Sequence, residues 1–85
     1  MLTLNLTNDA ICFLEGLPEK QARQLTNALD RLCQDQKLPK IKQLKGFDKI
    51  YRYPVGDFRI VYERSATAIE VILIDRRVMT KSIKD

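Results

Sequence analysis

The stretch that most constrains the fold is residues 50–63, IYRYPVGDFRIVYE. Apolar and aromatic residues alternate with other residues on both sides of a Gly-Asp pair, and this period of two is typical of β-strands. Gly56-Asp57 suits the centre of a two-residue turn, so the stretch is predicted to form a β-hairpin. Two arginines, Arg52 and Arg59, nevertheless lie inside the strands rather than at the turn.

A two-residue turn determines which residues of the hairpin face each other and which share a face. Pro54 is expected opposite Arg59, and Arg52 opposite Val61. One face then collects the large apolar side chains and is predicted to be buried: Tyr51, Tyr53, Val55, Phe58, Ile60 and Tyr62. The other face keeps the two arginines as diagonal neighbours, close enough for their long side chains to converge.

The whole chain, residues 1–85, is predicted to form one domain with the element order β-α-α-β-β-β. Leucines alternate at the N-terminus as in a strand, and two apolar stripes at helical spacing follow, up to about residue 34. Strand patterns return at 49–55, 58–64 and 68–75. We therefore expect an α+β protein whose four-stranded, mainly antiparallel sheet carries an αα-hairpin on one face and leaves the other face open.

The last strand can be placed by extending the register through the link at residues 64–67. If Glu63 pairs with Ala68, the buried face gains Ile69, Val71 and Leu73. The open face gains Glu70, Ile72 and Ile74. Arg76 follows on the open face and would emerge beside Arg59, whereas Arg77 has the opposite parity but lies past the strand end.

Arginines that converge on one face repel each other, so the cluster favours an anion. Phosphate fits because the forked guanidinium matches its oxygens. The alternative is a structural network in which Glu70, Asp75 and Asp57 neutralise the arginines.

The charge distribution agrees with an anionic partner without proving one. The net charge is +4, from 15 Lys and Arg against 11 Asp and Glu. Residues 37–52 contain one acid, Asp48, and these cations: Lys37, Lys40, Lys42, Lys45, Lys49 and Arg52. Such a segment suits nucleic acid, but a solvated loop would look the same.

Residue types exclude several other classes of site. The chain has no histidine, and Cys12 and Cys33 lack metal-ligand spacing, so we expect no metal or cofactor and two buried free thiols. The N-terminus lacks the pattern of a signal peptide, and no run approaches the roughly 20 apolar residues that cross a bilayer. A cytoplasmic location without membrane contact is expected.

The run LKGFDKIYRYPVGDFRIVYE, residues 44–63, resembles the signature of the RelE/ParE superfamily of bacterial toxins. The shared pattern is Leu-x-Gly, a short spacer, then Tyr-Arg-x-x-Val-Gly-Asp-aromatic-Arg-x-x-Tyr. The resemblance implies a RelE-like microbial RNase fold and the toxin half of a type II toxin–antitoxin module. The RelE branch, which the residues favour, cleaves mRNA on the ribosome, and the ParE branch inhibits DNA gyrase.

The resemblance also assigns roles to residues. Arg59 falls on the arginine that contacts the scissile phosphate, Arg52 falls on a basic position of the preceding strand, and Pro54 replaces a second one. Arg77 falls on a second catalytic arginine, and Lys81 or Lys84 stands nearest the place of a C-terminal tyrosine, which this chain lacks. The implied catalytic residues are Arg52, Arg59, Arg77 and Lys81, and the implied RNA- or ribosome-binding residues are Lys42, Lys45, Lys49 and Arg76.

The leading hypothesis is therefore a ribosome-dependent mRNA endoribonuclease that needs no metal and inhibits translation. Its implied partners are a cognate antitoxin, the ribosome and mRNA, with DNA contacted only through the antitoxin. The alternatives are a gyrase inhibitor and a toxin homologue that only binds an antitoxin.

Overall fold

The computed structural model of the chain describes residues 1–34, 38 and 40–76, which form two helices and five strands. In chain order these are β1 (Thr3–Leu6), α1 (Asn8–Glu15), α2 (Glu19–Cys33), β2 (Lys42–Gln43), β3 (Ile50–Val55), β4 (Phe58–Arg64) and β5 (Ala68–Arg76). The predicted α+β class and the order of the longer elements are confirmed.

The sheet has the strand order β1-β5-β4-β3-β2. β1 pairs with β5 in parallel, and the remaining neighbours are antiparallel. The predicted sheet was one strand short because β2 has only two residues, Lys42 and Gln43, in a polar segment without alternation. β2 matters for the site because it places Lys42 opposite Arg52.

Each helix begins where the sequence provides a start signal. Thr7 caps α1, since its hydroxyl accepts a hydrogen bond from the N–H of Ala10 at 3.2 Å. Pro18 is the N-cap of α2 rather than a residue of its first turn, and Glu19 follows near the positive end of the helix. Neither of the two described helices is long and apolar enough to cross a membrane.

The core lies between the helices and one face of the sheet. Its buried members are Ala10, Leu25, Ala28, Leu29, Leu32, Tyr53, Phe58, Ile60, Tyr62, Ile69, Val71 and Ile74. Phe58 packs edge-on against Phe13, with ring centroids 5.9 Å apart. Both cysteines are free, but only Cys33 is buried, so the expectation of a buried thiol was wrong for Cys12.

The β3–β4 hairpin has the predicted register. Val55 faces Phe58, Pro54 faces Arg59, and Arg52 faces Val61. Gly56 has φ +57° in the turn, a conformation that glycine adopts without the steric cost of a Cβ atom. The hairpin therefore directs its large apolar side chains towards the helices and its two arginines away from them.

The β4–β5 pairing differs from the predicted register in two ways. Glu63 pairs with Glu70 rather than with Ala68, a shift of two residues that preserves parity, and β5 contains a bulge, which does not. The bulge falls between Val61 and Tyr62, which pair with Leu73 and Val71, so Ile72 is the extra residue. The bulge lies where the chain enters α1: the Thr7 hydroxyl donates to the carbonyl of Ile72 at 3.1 Å. A single extra residue reverses the parity of everything that follows it in the strand.

Because parity is reversed after the bulge, the predicted faces of three residues are wrong. Leu73 is 41% exposed instead of buried, and Ile74 is 2% exposed instead of lying on the open face. Arg76 pairs with Phe58 and extends over its ring, with Cζ 5.2 Å from the ring centroid. The residue that faces Arg59 is Asp75.

Candidate phosphate-binding site

A concave site of about 320 Å³ opens on the sheet face that the helices leave uncovered. It is lined by Lys40, Lys42, Arg52, Pro54 and Arg59. Four of these five residues carry a positive charge, and none is acidic. Cationic forks and ammonium groups around a space of this size can bind a phosphate group.

Three neighbouring strands bring the cations of this cationic pocket together. β2 pairs Lys42 with Arg52 of β3, and β3 in turn pairs Pro54 with Arg59 of β4. Lys40 joins from the turn that precedes β2. The predicted convergence of Arg52 and Arg59 is confirmed, and Lys40 is a lining residue that the sequence offered only as one cation in a basic run.

Arg59 forms an ion pair with Asp75 across β4 and β5. Its Nη2 lies 3.0 Å from Oδ2 and its Nε 3.3 Å from Oδ1 of the carboxylate. The hydrogen bonds and charge of Asp75 raise the pKa of the Arg59 guanidinium, which therefore stays protonated. The two side chains are 37% and 36% exposed, so the pair contributes only about 0–1 kcal/mol to stability.

Arg52 is half-buried and forms no hydrogen bond or ion pair with another residue of the described segments. The neutralising network considered from the sequence is thus present in part. Asp75 pairs with Arg59, whereas Glu70 and Asp57 form no ion pair within the described ranges 1–34, 38 and 40–76. The cationic pocket retains an excess of positive charge.

The other predicted site residues lie elsewhere or outside the described segments. Lys45 lines a shallow depression in the segment before β3, and Lys49 is exposed at the start of that strand, so neither lines the cationic pocket. Arg76 is on the helix-packed side. Arg77 and Lys81 fall outside the described residues.

A second concave surface, of about 440 Å³, lies at the other edge of the sheet between β1 and α2. Apolar residues dominate its lining: Met1, Leu2, Leu4, Leu6, Leu14, Leu29 and Cys33. We call it the apolar groove. Sequence reasoning predicted only that the leucines of β1 form the apolar face of a short strand. The missing consideration was that β1 is an edge strand, which the two helices cover only partly.

Comparisons with known proteins agree on one family of proteins. A family model described as the ParE toxin of the type II toxin–antitoxin system, parDE, matches residues 4–80. No protein of curated function matches significantly.

Solved structures show the same fold. Isolated Escherichia coli RelE toxin superposes with a TM-score of 0.79 at 18% identity, over 96% of this chain and 93% of that chain. RelE in the RelE–RelB complex of Pyrococcus horikoshii gives 0.77 at 20% identity, over 92% and 97%. The RelBE2 toxin–antitoxin complex of Mycobacterium tuberculosis gives 0.75 at 20% identity, over 89% and 98%. Since the family model spans nearly all of the sequence, the chain belongs to the ParE toxin family of type II toxin–antitoxin systems, within the RelE/ParE superfamily.

Proposed function

We propose that this toxin is a ribosome-dependent mRNA endoribonuclease. The observation that carries the proposal is the cationic pocket, in which Arg52, Arg59, Lys40 and Lys42 surround a space of about 320 Å³, large enough for a phosphate group. The pocket lies on the exposed sheet face, where a single RNA strand has access.

In the proposed reaction, the 2′-oxygen of a ribose attacks its own 3′-phosphate. A cyclic phosphate and a free 5′-hydroxyl result, and no metal is needed. Arg59 and Arg52 would stabilise the extra negative charge of the phosphorane, a contribution that grows as water is excluded. Arg77 and Lys81 remain the proposed additional catalytic residues.

Proton transfer is the step for which this chain offers the fewest suitable side chains. It contains no histidine, the side chain that usually exchanges protons near neutral pH. Tyr62 does not replace it, because burial raises the pKa of its hydroxyl to about 12 and the residue lies in the core. We therefore expect the ribosome to complete the site, and purified protein to cleave naked RNA at most weakly.

A second candidate function is inhibition of DNA gyrase. It is favoured by the matching family model, which describes a ParE toxin, and by Pro54, a neutral residue in the middle of the cationic pocket. Expression of the toxin alone in bacteria distinguishes the two. The nuclease proposal expects new mRNA 5′ ends at defined codons with normal DNA supercoiling. Intact mRNA with altered supercoiling would establish the gyrase alternative, and normal growth would leave only antitoxin binding.

We further propose a cognate antitoxin as the protein partner, with the apolar groove as its docking surface. RelE was solved with RelB in several of the matching structures, and the β1 leucines of the groove, Leu2, Leu4 and Leu6, are only partly covered.

Leu4 and Ile11 provide a matched pair for this proposal, since each is 37% exposed but only Leu4 lines the groove. Leu4→Glu should keep toxicity and lose rescue by the antitoxin encoded beside it. Ile11→Glu should be rescued like the wild type. Equal rescue of both variants would place the antitoxin elsewhere.

A further inference from the structure

We propose that Asp75 is a positioning residue that holds the Arg59 guanidinium in the orientation needed to receive a phosphate. This inference rests on the proposed function of the cationic pocket and deepens it. The contact is side-on: one carboxylate accepts from both Nε and Nη2 of the guanidinium. Side-on pairing leaves the end-on edge, with the N–H groups of Nη1 and the second N–H of Nη2, for another acceptor.

The β5 bulge is what brings an acid to this position. If the pairing of Tyr62 with Val71 continued without a bulge, Ile74 would face Arg59, and Asp75 would face Phe58 on the buried side. With the bulge, Asp75 pairs directly with Arg59 between two central strands. A side chain on paired strands is held more firmly than one on a loop, which suits a group that must orient another.

Positioning and charge act in opposite directions on the bound phosphate. The carboxylate adds a negative charge close to the site and so weakens attraction for RNA. It also limits the rotation of a long side chain that would otherwise sample many conformations. If Asp75 only stabilised the fold, its removal would change neither the affinity for RNA nor the rate of cleavage, because an exposed ion pair contributes little to stability.

The opposing effects give Asp75→Ala a signature that separates affinity from turnover. We expect the variant to bind a 2′-O-methyl oligoribonucleotide, which cannot be cleaved, about threefold or more tightly at low salt, because one negative charge is gone. In cleavage of mRNA on programmed ribosomes we expect kcat to fall about tenfold or more, because the guanidinium is no longer oriented, while KM falls or stays constant.

Two further variants sharpen the test. Asp75→Asn retains an oxygen that accepts one of the two hydrogen bonds, so its kcat should lie between those of the wild type and Asp75→Ala. Glu70→Ala removes the same charge from β5 at a residue opposite Glu63, away from Arg59. It should therefore leave kcat at the wild-type value.

The orientation itself can be measured by NMR through the Nε–H signal of Arg59. The wild type should show a resolved signal with slowed solvent exchange, and Asp75→Ala should lose it. This measurement and the oligonucleotide titration do not require cleavage. If the wild type cleaves no mRNA, the nuclease proposal fails while these two results still decide the positioning role. The positioning role is overturned if Asp75→Ala retains the slowed Nε–H signal, or if its kcat is unchanged or rises.

Discussion

The two faces of the β3–β4 hairpin use the same strands for different purposes. Tyr53, Phe58, Ile60 and Tyr62 point to the helices and are buried, whereas Arg52, Pro54, Arg59 and Val61 alternate with them on the open face. The comparison shows that stability depends on one set of residues and the proposed activity on the residues that alternate with them in the same strand. Substitutions one residue apart should therefore affect different measurements.

Phe58→Ala is expected to have the largest effect and to act on stability. Phe58 is 1% exposed and packs against Phe13, so truncation removes apolar contact and leaves a cavity. The free energy of unfolding should fall by about 3–5 kcal/mol, as measured by urea denaturation. Phe47→Ala is the control, since Phe47 is exposed and should change stability by about 0.5 kcal/mol or less. A loss under about 1 kcal/mol for Phe58→Ala would show that this face is not the core.

High pH should weaken the buried face, while Arg59 on the open face keeps its charge. Burial raises the pKa of Tyr62 to about 12, so folding stabilises its protonated form. This contribution is complete below pH 10 and is lost as the pH rises through 12. It amounts to at most roughly 3 kcal/mol, at about 1.36 kcal/mol per unit of pKa shift. Over the same range Arg59 stays protonated, because Asp75 raises its pKa.

Tyr62→Phe isolates this effect from the other groups that titrate at high pH. The decline of the unfolding midpoint between pH 10 and pH 12 should be shallower in the variant than in the wild type. Identical slopes would mean that Tyr62 ionises without cost in the folded protein.

Pro54→Lys should produce the smallest effect, on the open face alone. The substitution replaces the neutral member of the cationic pocket with a further cation. Binding of single-stranded RNA should gain in salt dependence, with the slope of log K against log salt steeper by about 0.7. Thr67→Lys adds the same charge at an exposed residue in the link before β5 and should leave the slope unchanged. Equal slopes for both lysine variants would show that the pocket does not contact the backbone phosphates.

The same contrast explains what the sequence predicted well and what it did not. The register of the hairpin follows from its two-residue turn, and Arg52 and Arg59 were placed correctly by alternation alone. The next strand begins after a longer link and contains a bulge, for which no Gly or Pro in residues 68–76 gives a signal. The sequence therefore did not determine that Asp75 pairs with Arg59, and it led to the placement of Arg76 on the wrong face.

Short pairings outside the strong patterns were also missed. Lys42 reaches Arg52 through a two-residue strand whose residues have no apolar alternation. The apolar groove went unrecognised because alternation shows that one side of β1 is apolar but does not show how much of that side the helices cover. Both features depend on tertiary packing rather than on local pattern.

The most direct test of the central claim is the rate of mRNA cleavage on programmed ribosomes for Arg59→Ala compared with Arg23→Ala. Both arginines belong to ion pairs with an acid, but Arg23 pairs with Glu19 on the surface of α2. We predict that Arg59→Ala loses about 100-fold or more in cleavage rate, as when an oriented charge-stabilising group is removed, and unfolds like the wild type. Arg23→Ala should retain both properties. Wild-type cleavage by a folded Arg59→Ala variant would contradict the assignment of the open face as the active site.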